Sequence, residues 1–292
     1  MDKKKILEAG KIAKQVKDYA KKLVKKDMPL LEIANKIESK IEELKGKPAF
    51  PVTLSINEVA AHYTPSHDDE TLAHGLLKVD FGVHVDGWAA DNAFTLDLED
   101  SKENKKIINA AEQALKKATE KVKNGMTTSE IGKVIQETIE SYDLNPIVNL
   151  CGHSMDHYDL HSGFTIPNID DHKQEPIKPG LYAIEPFATP GSGKVHDGKP
   201  SNIYALIDPK NTRSPIAREV LEYIVDEYQT LPFCGRWIVK KFTTKGLIAL
   251  KQLEEQGILH HFPQLIESSK AKVAQAENTF LIEKDQTIVT TE

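Results

Sequence analysis

The chain has 292 residues, 39% of them hydrophobic and 28% charged, with a formal net charge of -6 and a pI of about 6.0. That length supports one large domain or two with a sizeable core, and the acidic balance, with 38 Lys plus Arg of which only Arg213, Arg218 and Arg236 are arginine, argues against a reader of phosphates or bases. Cys151 and Cys234 fit no C-x-x-C pattern, no apolar run approaches the ~20 residues of a membrane helix, and the start MDKKKILEAGKIAKQ has no apolar h-region, so the expectation is a cytoplasmic protein with reduced thiols and neither nucleic acid nor membrane as partner.

Residues 3–26 and 29–45 have helical periodicity. Ile33, Ile37, Ile41 and Leu44 recur at three and four, and Met28-Pro29 marks the break between the two helices. Residues 77–96 read as a β-hairpin, because Asp86-Gly87 is a strong signal for a type I′ turn. That turn pairs Val85 with Trp88 and Gly82 with Asp91, and makes Asp80 the diagonal neighbour of Asp91 on one face. Diagonal neighbours lie roughly 7–8 Å apart at Cα, within reach of two divalent ions about 3.5–4 Å apart. The alternative at this stage is a hairpin with one solvated face.

Residues 101–124 and 127–142 repeat the helical design, with Asn124-Gly125 between them and Thr127/Thr128 with Glu130 as a cap. The two helix pairs also match at an offset of 98: Ala13 with Ala111, Ala20 with Ala118, Val24 with Val122, Met28 with Met126, Ile33 with Ile131, Ile37 with Ile135 and Ile41 with Ile139. This implies two related α-α-β halves about a pseudo-twofold axis, with a site between them.

His153, His157 and His161 are spaced by four, which on a helix would place them on one face. Gly152, Gly163 and Pro167 oppose a helix, so an extended segment with separate roles for His153 and His161 is expected, ordinary surface or core histidines being the other reading. Leu181 to Phe187 is a buried-strand pattern interrupted by Glu185-Pro186, and Glu277 begins a similar strand in residues 273–282. Each acid needs a partner if buried, and each is otherwise a strand-end residue. Residues 209–262, with helical patterns at 214–229 and 244–256 joined by LPFCGRW, have no counterpart in the first half and read as an inserted helical subdomain. Residues 1–208 and 263–292 form the main domain, strand-like alternation resuming from Lys272 to Val289.

Together, AFPVTLSINEVAAHYTP (49–65), KVDFG (78–82), DNAFT (91–95), GHSM with His161 beyond, YAIEPF (182–187) and AQAENT (274–279) resemble the type II methionine aminopeptidases found in archaea. The resemblance spans nearly the whole chain, and TLPFCGRW (230–237) resembles their inserted, winged-helix-like subdomain. It implies the α+β "pita-bread" fold and two divalent cations (Co²⁺, Mn²⁺, Fe²⁺ or Zn²⁺) on Asp80, Asp91, His153, Glu185 and Glu277. In the family pattern Asp91 and Glu277 bridge the ions and a bridging water or hydroxide is the nucleophile. Glu185 is also a proton relay, and His62 and His161 donate hydrogen bonds to the peptide carbonyl and the developing oxyanion. Phe50, Leu160, Pro232 and Phe262 would line the methionine slot. The implied substrates are N-termini of nascent proteins with a small second residue, met near the ribosome by a cytoplasmic monomer. Ala276 and Asn278 stand where the family usually has Phe and His; Ala276 is expected to open space beside the site.

Two other functions compete. One is another hydrolase of this fold, such as a proline dipeptidase, which normally carries an additional N-terminal domain. The other is a non-catalytic binding protein on the same scaffold, which would be expected to have lost ligands.

Overall fold

The computed structural model describes residues 1–292. The first half comprises α1 (Lys3–Leu23), α2 (Leu30–Glu43), β1 (Lys47–Ile56), β2 (Val59–Ala61), β3 (Leu76–Val85) and β4 (Trp88–Asp97). The Asp2 carboxylate caps α1 by accepting from the Lys5 amide. Ile6, Ala9, Ile12, Ala13, Val16 and Ala20 then recur on its buried face. Helix α1 ends where Val24 turns to extended backbone, and the chain reverses at Asp27, with φ +63°. The β3–β4 hairpin has the register its turn dictates: Val85 opposite Trp88 and Gly82 opposite Asp91, with positive φ at both Asp86 (+48°) and Gly87 (+80°).

The second half begins with α3 (Lys102–Lys121) and α4 (Thr128–Glu140), followed by β5 (Asn145–Pro146), β6 (Cys151–Met155), β7 (Thr165–Pro167), β8 (Gly180–Ile184), β9 (Phe187–Thr189) and β10 (Val195–Leu206). The 98-residue offset is structural as well as sequential. Val24 and Val122 end α1 and α3 in the same extended conformation, and Asp27 and Gly125 both take positive φ. Pro29 and Thr127 each form an isolated antiparallel bridge, to Leu72 and Pro176. Thr127 and Glu130 complete a capping box. Each helix pair covers its own core: α1 and α2 bury Ile33, Ile37 and Ile41 against Val79, Phe81 and Val83, and α3 and α4 bury Ile131, Ile135 and Ile139 against Ile184 and Phe280. Full burial of one such side chain contributes about 1.5–3 kcal/mol.

The remaining elements are α5 (Pro215–Glu227), β11 (Phe233–Cys234), α6 (Gly235–Phe242), α7 (Lys245–Glu255), β12 (Leu259–Glu267), β13 (Ala274–Gln275), β14 (Asn278–Ile282) and β15 (Thr287–Val289). Helices α5–α7 enclose a third core around Val220, Ile224, Ile238, Leu250 and Leu253. Three expectations need correction here. Residues 235–242 are helical, although LPFCGRW reads as a connector; Pro232 and Gly235 mask the short helix behind them. A cut at residue 262 divides β12, which pairs with β10 from Leu259 onward. Residues 272–289 form three short strands rather than one, because the chain breaks at Ala276-Glu277 and turns at 283–286.

All strand pairs are antiparallel, in the orders β1-β3-β4, β11-β10-β12-β2, β13-β9-β5 and β15-β14-β8-β6-β7. The halves meet where Thr279 on β14 stitches to β4. Its hydroxyl accepts from the Asp91 amide at 2.7 Å and donates to the Asp91 carbonyl at 2.8 Å. The Glu277 amide donates to the Ala93 carbonyl at 3.0 Å beside it.

Candidate metal centre and its cleft

Five segments deliver the acids and imidazole to this junction. Asp80 and Asp91 come from the β3–β4 hairpin and His153 from the middle of β6. Glu185 sits in the break between β8 and β9, and Glu277 in the break between β13 and β14. These two breaks oppose each other, since Ile184 pairs with Asn278 and Phe187 with Gln275. Pro186 cannot donate to a ladder, and its carbonyl instead accepts from the Ala276 amide at 3.2 Å. Both strands kink there and turn their carboxylates inward. Because the segment 151–155 is a strand, His153 is separated from His157, and the helical histidine trio does not form.

Asp91, His153 and Glu277 offer ligand atoms that all lie within 4.8 Å of one another. His153 Nε2 is 3.6 Å from Asp91 Oδ2 and 4.0 Å from Glu185 Oε1. Asp80 and Glu185 are linked through Gln275, whose Nε2 donates to Asp80 Oδ2 and Glu185 Oε2, at 3.3 Å each. All five residues line one cavity of about 260 Å³, together with His62, His161, Phe50, Leu160, Pro232 and Phe262. All eleven residues singled out from the sequence therefore converge. A larger groove, about 940 Å³, lies between α2 and the α5–α6 helices, but its charges include the paired Glu38–Arg236 and Lys47–Glu227 and it gathers no cluster of buried acids.

The electrostatics of the cluster call for a cation. Burial pushes the Asp80 carboxyl up to about 7, only partly opposed by the Gln275 hydrogen bond. Burial first, and mutual repulsion second, drive Asp91, Glu185 and Glu277 well above the carboxylate range. Asp80 Oδ1 and Asp91 Oδ1 are buried with no hydrogen-bond partner. Burial holds the His153 imidazole neutral, lowered to about 3, and desolvation lowers the half-buried His62 to about 4 and also lowers His161, part of whose surface stays exposed. Four acids aimed at one another with orphaned oxygens and a neutral imidazole fit divalent ions, which would supply the missing partners.

Residues 4–284 match metallopeptidase family M24. The methionine aminopeptidase of Pyrococcus abyssi is 46% identical over 297 residues, covering 100% of each chain. The chain belongs to the methionine aminopeptidases of family M24. Among solved structures, its fold resembles that of a thermophilic Arx1, with a TM-score of 0.83 at 16% identity over 98% of this chain and 89% of that one. It also resembles the methionine aminopeptidase of Thermotoga maritima, with a TM-score of 0.71 at 19% identity over 100% and 98% of the two chains. At those identities the likeness concerns the fold.

In this M24 chain two features escape a reading of the sequence. Gln275 is 2% exposed and joins two of the acids, yet a lone Gln in a strand-like run carries no signal. The unusual Asn278 is explained by its partners. Its Oδ1 accepts from Asn92 Nδ2 and Thr291 Oγ1, both at 3.0 Å, and its Nδ2 donates to Glu292 at 2.7 Å. Ala276 does not open the site, because its methyl packs into the α3–α4 core.

Proposed function

We propose that this chain removes the initiator methionine from nascent proteins whose second residue is small, in a centre holding two divalent cations. The observation that carries the proposal is the convergence of four carboxyls, Asp91 and Glu277 buried and Asp80 and Glu185 half-buried, with a neutral imidazole, two further histidines and an apolar wall in one small cavity. Asp80, Asp91, His153, Glu185 and Glu277 would hold the ions. These donors suit Co²⁺, Mn²⁺, Fe²⁺ or Zn²⁺ without separating them. When bound, the ions supply Lewis acidity that acidifies the attacking water and polarises the scissile carbonyl.

The residues of the chain do the rest. Phe50, Leu160, Pro232 and Phe262 take up the methionine side chain, and the small cavity admits little beyond it. His62 Nδ1 lies 3.2 Å from the Pro263 carbonyl, to which it donates. A neutral ring then presents an unprotonated Nε2, which accepts a hydrogen bond. His62 therefore receives the scissile N–H or the leaving amine, in place of the donor role that the family pattern implies. Donation to the peptide carbonyl and the developing oxyanion falls to His161. The Glu185 carboxylate carries a proton from water to the leaving nitrogen.

Release of methionine from Met-Ala-Ser with added Mn²⁺ or Co²⁺, and none with chelator, is the expected result. No release with any divalent metal overturns the proposal, and cleavage of Xaa-Pro peptides in its place favours a proline dipeptidase. The proposed setting is a cytoplasmic monomer near the ribosome, and the proposed division is a catalytic domain with α5–α7 as an inserted subdomain. No helix is long and apolar enough to cross a membrane. Light scattering with the purified chain tests the monomer.

A further inference from the structure

The largest fully buried side chain belongs to Lys78, which is 1% exposed. A lysine is rarely buried unless its ammonium is partnered. Here the partners are main-chain carbonyls: Nζ donates to Asn57 and to Val273, both at 2.8 Å. Those carbonyls belong to segments far apart in sequence. Asn57 forms the turn between β1 and β2 in the left-handed conformation, with φ +49°. Val273 immediately precedes β13, and its amide donates back to the Asn57 carbonyl at 3.0 Å. One side-chain nitrogen thus joins the hairpin strand β3, the β1–β2 turn and the start of β13.

Each joined segment runs on to the metal centre. Lys78 lies two residues before Asp80 and so shares its face of the strand. Asn57 precedes His62 by five residues, and Val273 precedes Glu277 by four. Opposite Lys78 on β4 stands Thr95, which grips the same segment. Its hydroxyl donates to the Gln275 carbonyl at 2.7 Å and accepts from the Gln275 amide at 2.9 Å. Gln275 in turn holds Asp80 and Glu185.

We propose that Lys78 is a positioning residue for the metal centre: its Nζ clamps the Asn57 turn to Val273 and so fixes where Gln275 and Glu277 stand relative to Asp80. A hydrophobic residue would fill the same volume more cheaply, but it would leave the three segments free to slide. Slippage there displaces ligands from two strands at once, and an ångström is enough to spoil a coordination shell. The proposal rests on the metal-centre reading above.

The test is Lys78→Met, which keeps the length and apolar stem but loses the donors. Divalent-metal binding to metal-free protein is measured by calorimetry well below the melting temperature of both chains. The expected result is Mn²⁺ affinity at least tenfold weaker than wild type while far-UV circular dichroism is unchanged. A lysine that only stabilises the fold would lower the melting temperature and leave metal affinity alone, and that outcome overturns the proposal. Binding by neither protein overturns the metal-centre reading and this proposal with it. A second measurement needs no variant. Coupling between two sites is reciprocal, so Mn²⁺ added to the wild-type chain should slow hydrogen exchange at the Val273 amide several-fold. Unchanged exchange there, in protein shown to hold metal, overturns the proposal even if Lys78→Met fails to fold.

Discussion

Arg236 and Glu38, 198 residues apart, form a buried bidentate pair. Nη1 donates to Oε2 at 2.6 Å and Nη2 to Oε1 at 3.0 Å, with 6% and 7% of the two residues exposed. Trp237 Nε1 adds a third bond to Glu38 at 2.9 Å, and Arg236 Nε donates to the Pro65 carbonyl at 3.2 Å. This cluster fastens α6 to α2, and it stands four residues from Pro232 in the cleft wall. Removing one partner strands a buried charge, so Arg236→Met is expected to cost about 3–5 kcal/mol in urea unfolding. The double variant Arg236→Met/Glu38→Leu should recover part of that loss. A cost for the single variant no larger than that of an exposed pair would show that the cluster is not a clamp.

The roles proposed for His161 and Asp91 separate experimentally. His161→Ala is expected to lower kcat on Met-Ala-Ser by about 10²–10³, the scale of losing an oxyanion donor, with metal content unchanged. Asp91→Ala should lose metal. Elemental analysis with kinetics on the same preparations decides, and loss of metal from His161→Ala would reverse the assignment.

Metal binding should release protons. In the metal-free chain burial holds the Asp80 carboxyl up to about 7 and the other three acids well above their ordinary range. Below about pH 7 the ions must therefore displace protons, and apparent affinity rises with pH, by about tenfold per unit for each proton displaced. Calorimetry in buffers of different ionisation enthalpy measures the number released. A pH-independent affinity between 5 and 7 would contradict protonated ligands.

Glu267 offers a stability test away from the cleft. Its burial alone would raise its carboxyl, but donors from Ser192, Ser269 and Ala271, at 2.6–3.0 Å, more than offset this and lower it to about 2. A depressed carboxyl stabilises the fold above its unfolded value of 4.5, and that stability fades as pH falls from there toward 2. Glu267→Gln is expected to cost about 2–3 kcal/mol at pH 7 and progressively less in acid, as followed by thermal melts across pH.

Much of this site was legible in the chain itself. Local rules suffice where a signal is short-range: Asp86-Gly87 sets the hairpin register and with it the diagonal of Asp80 and Asp91. The 98-residue repeat is periodic helix packing and so announces the two halves. Helical periodicity overruns the ends of α1 and α3 by three residues, because Lys-rich last turns look helical beyond the point where Val24 and Val122 leave the helix. The kink that turns Glu185 inward was marked by Pro186.

Tertiary structure decided the rest. Lys78 and Gln275 read as unremarkable polar residues in strand-like runs, Asn278 stands out only against the family pattern, and the partners of all three lie between 13 and 195 residues away. No periodicity records a bond between a side chain and a carbonyl on a distant segment. The donor or acceptor state of His62 likewise depends on the Pro263 carbonyl, 201 residues on. The elements, the repeat and the acid and imidazole chemistry of the site follow from local backbone preferences and residue chemistry, and so are readable along the chain. Which buried polar atoms satisfy one another, and so how the ligands are aimed, was decided only when the two halves and α6 closed together.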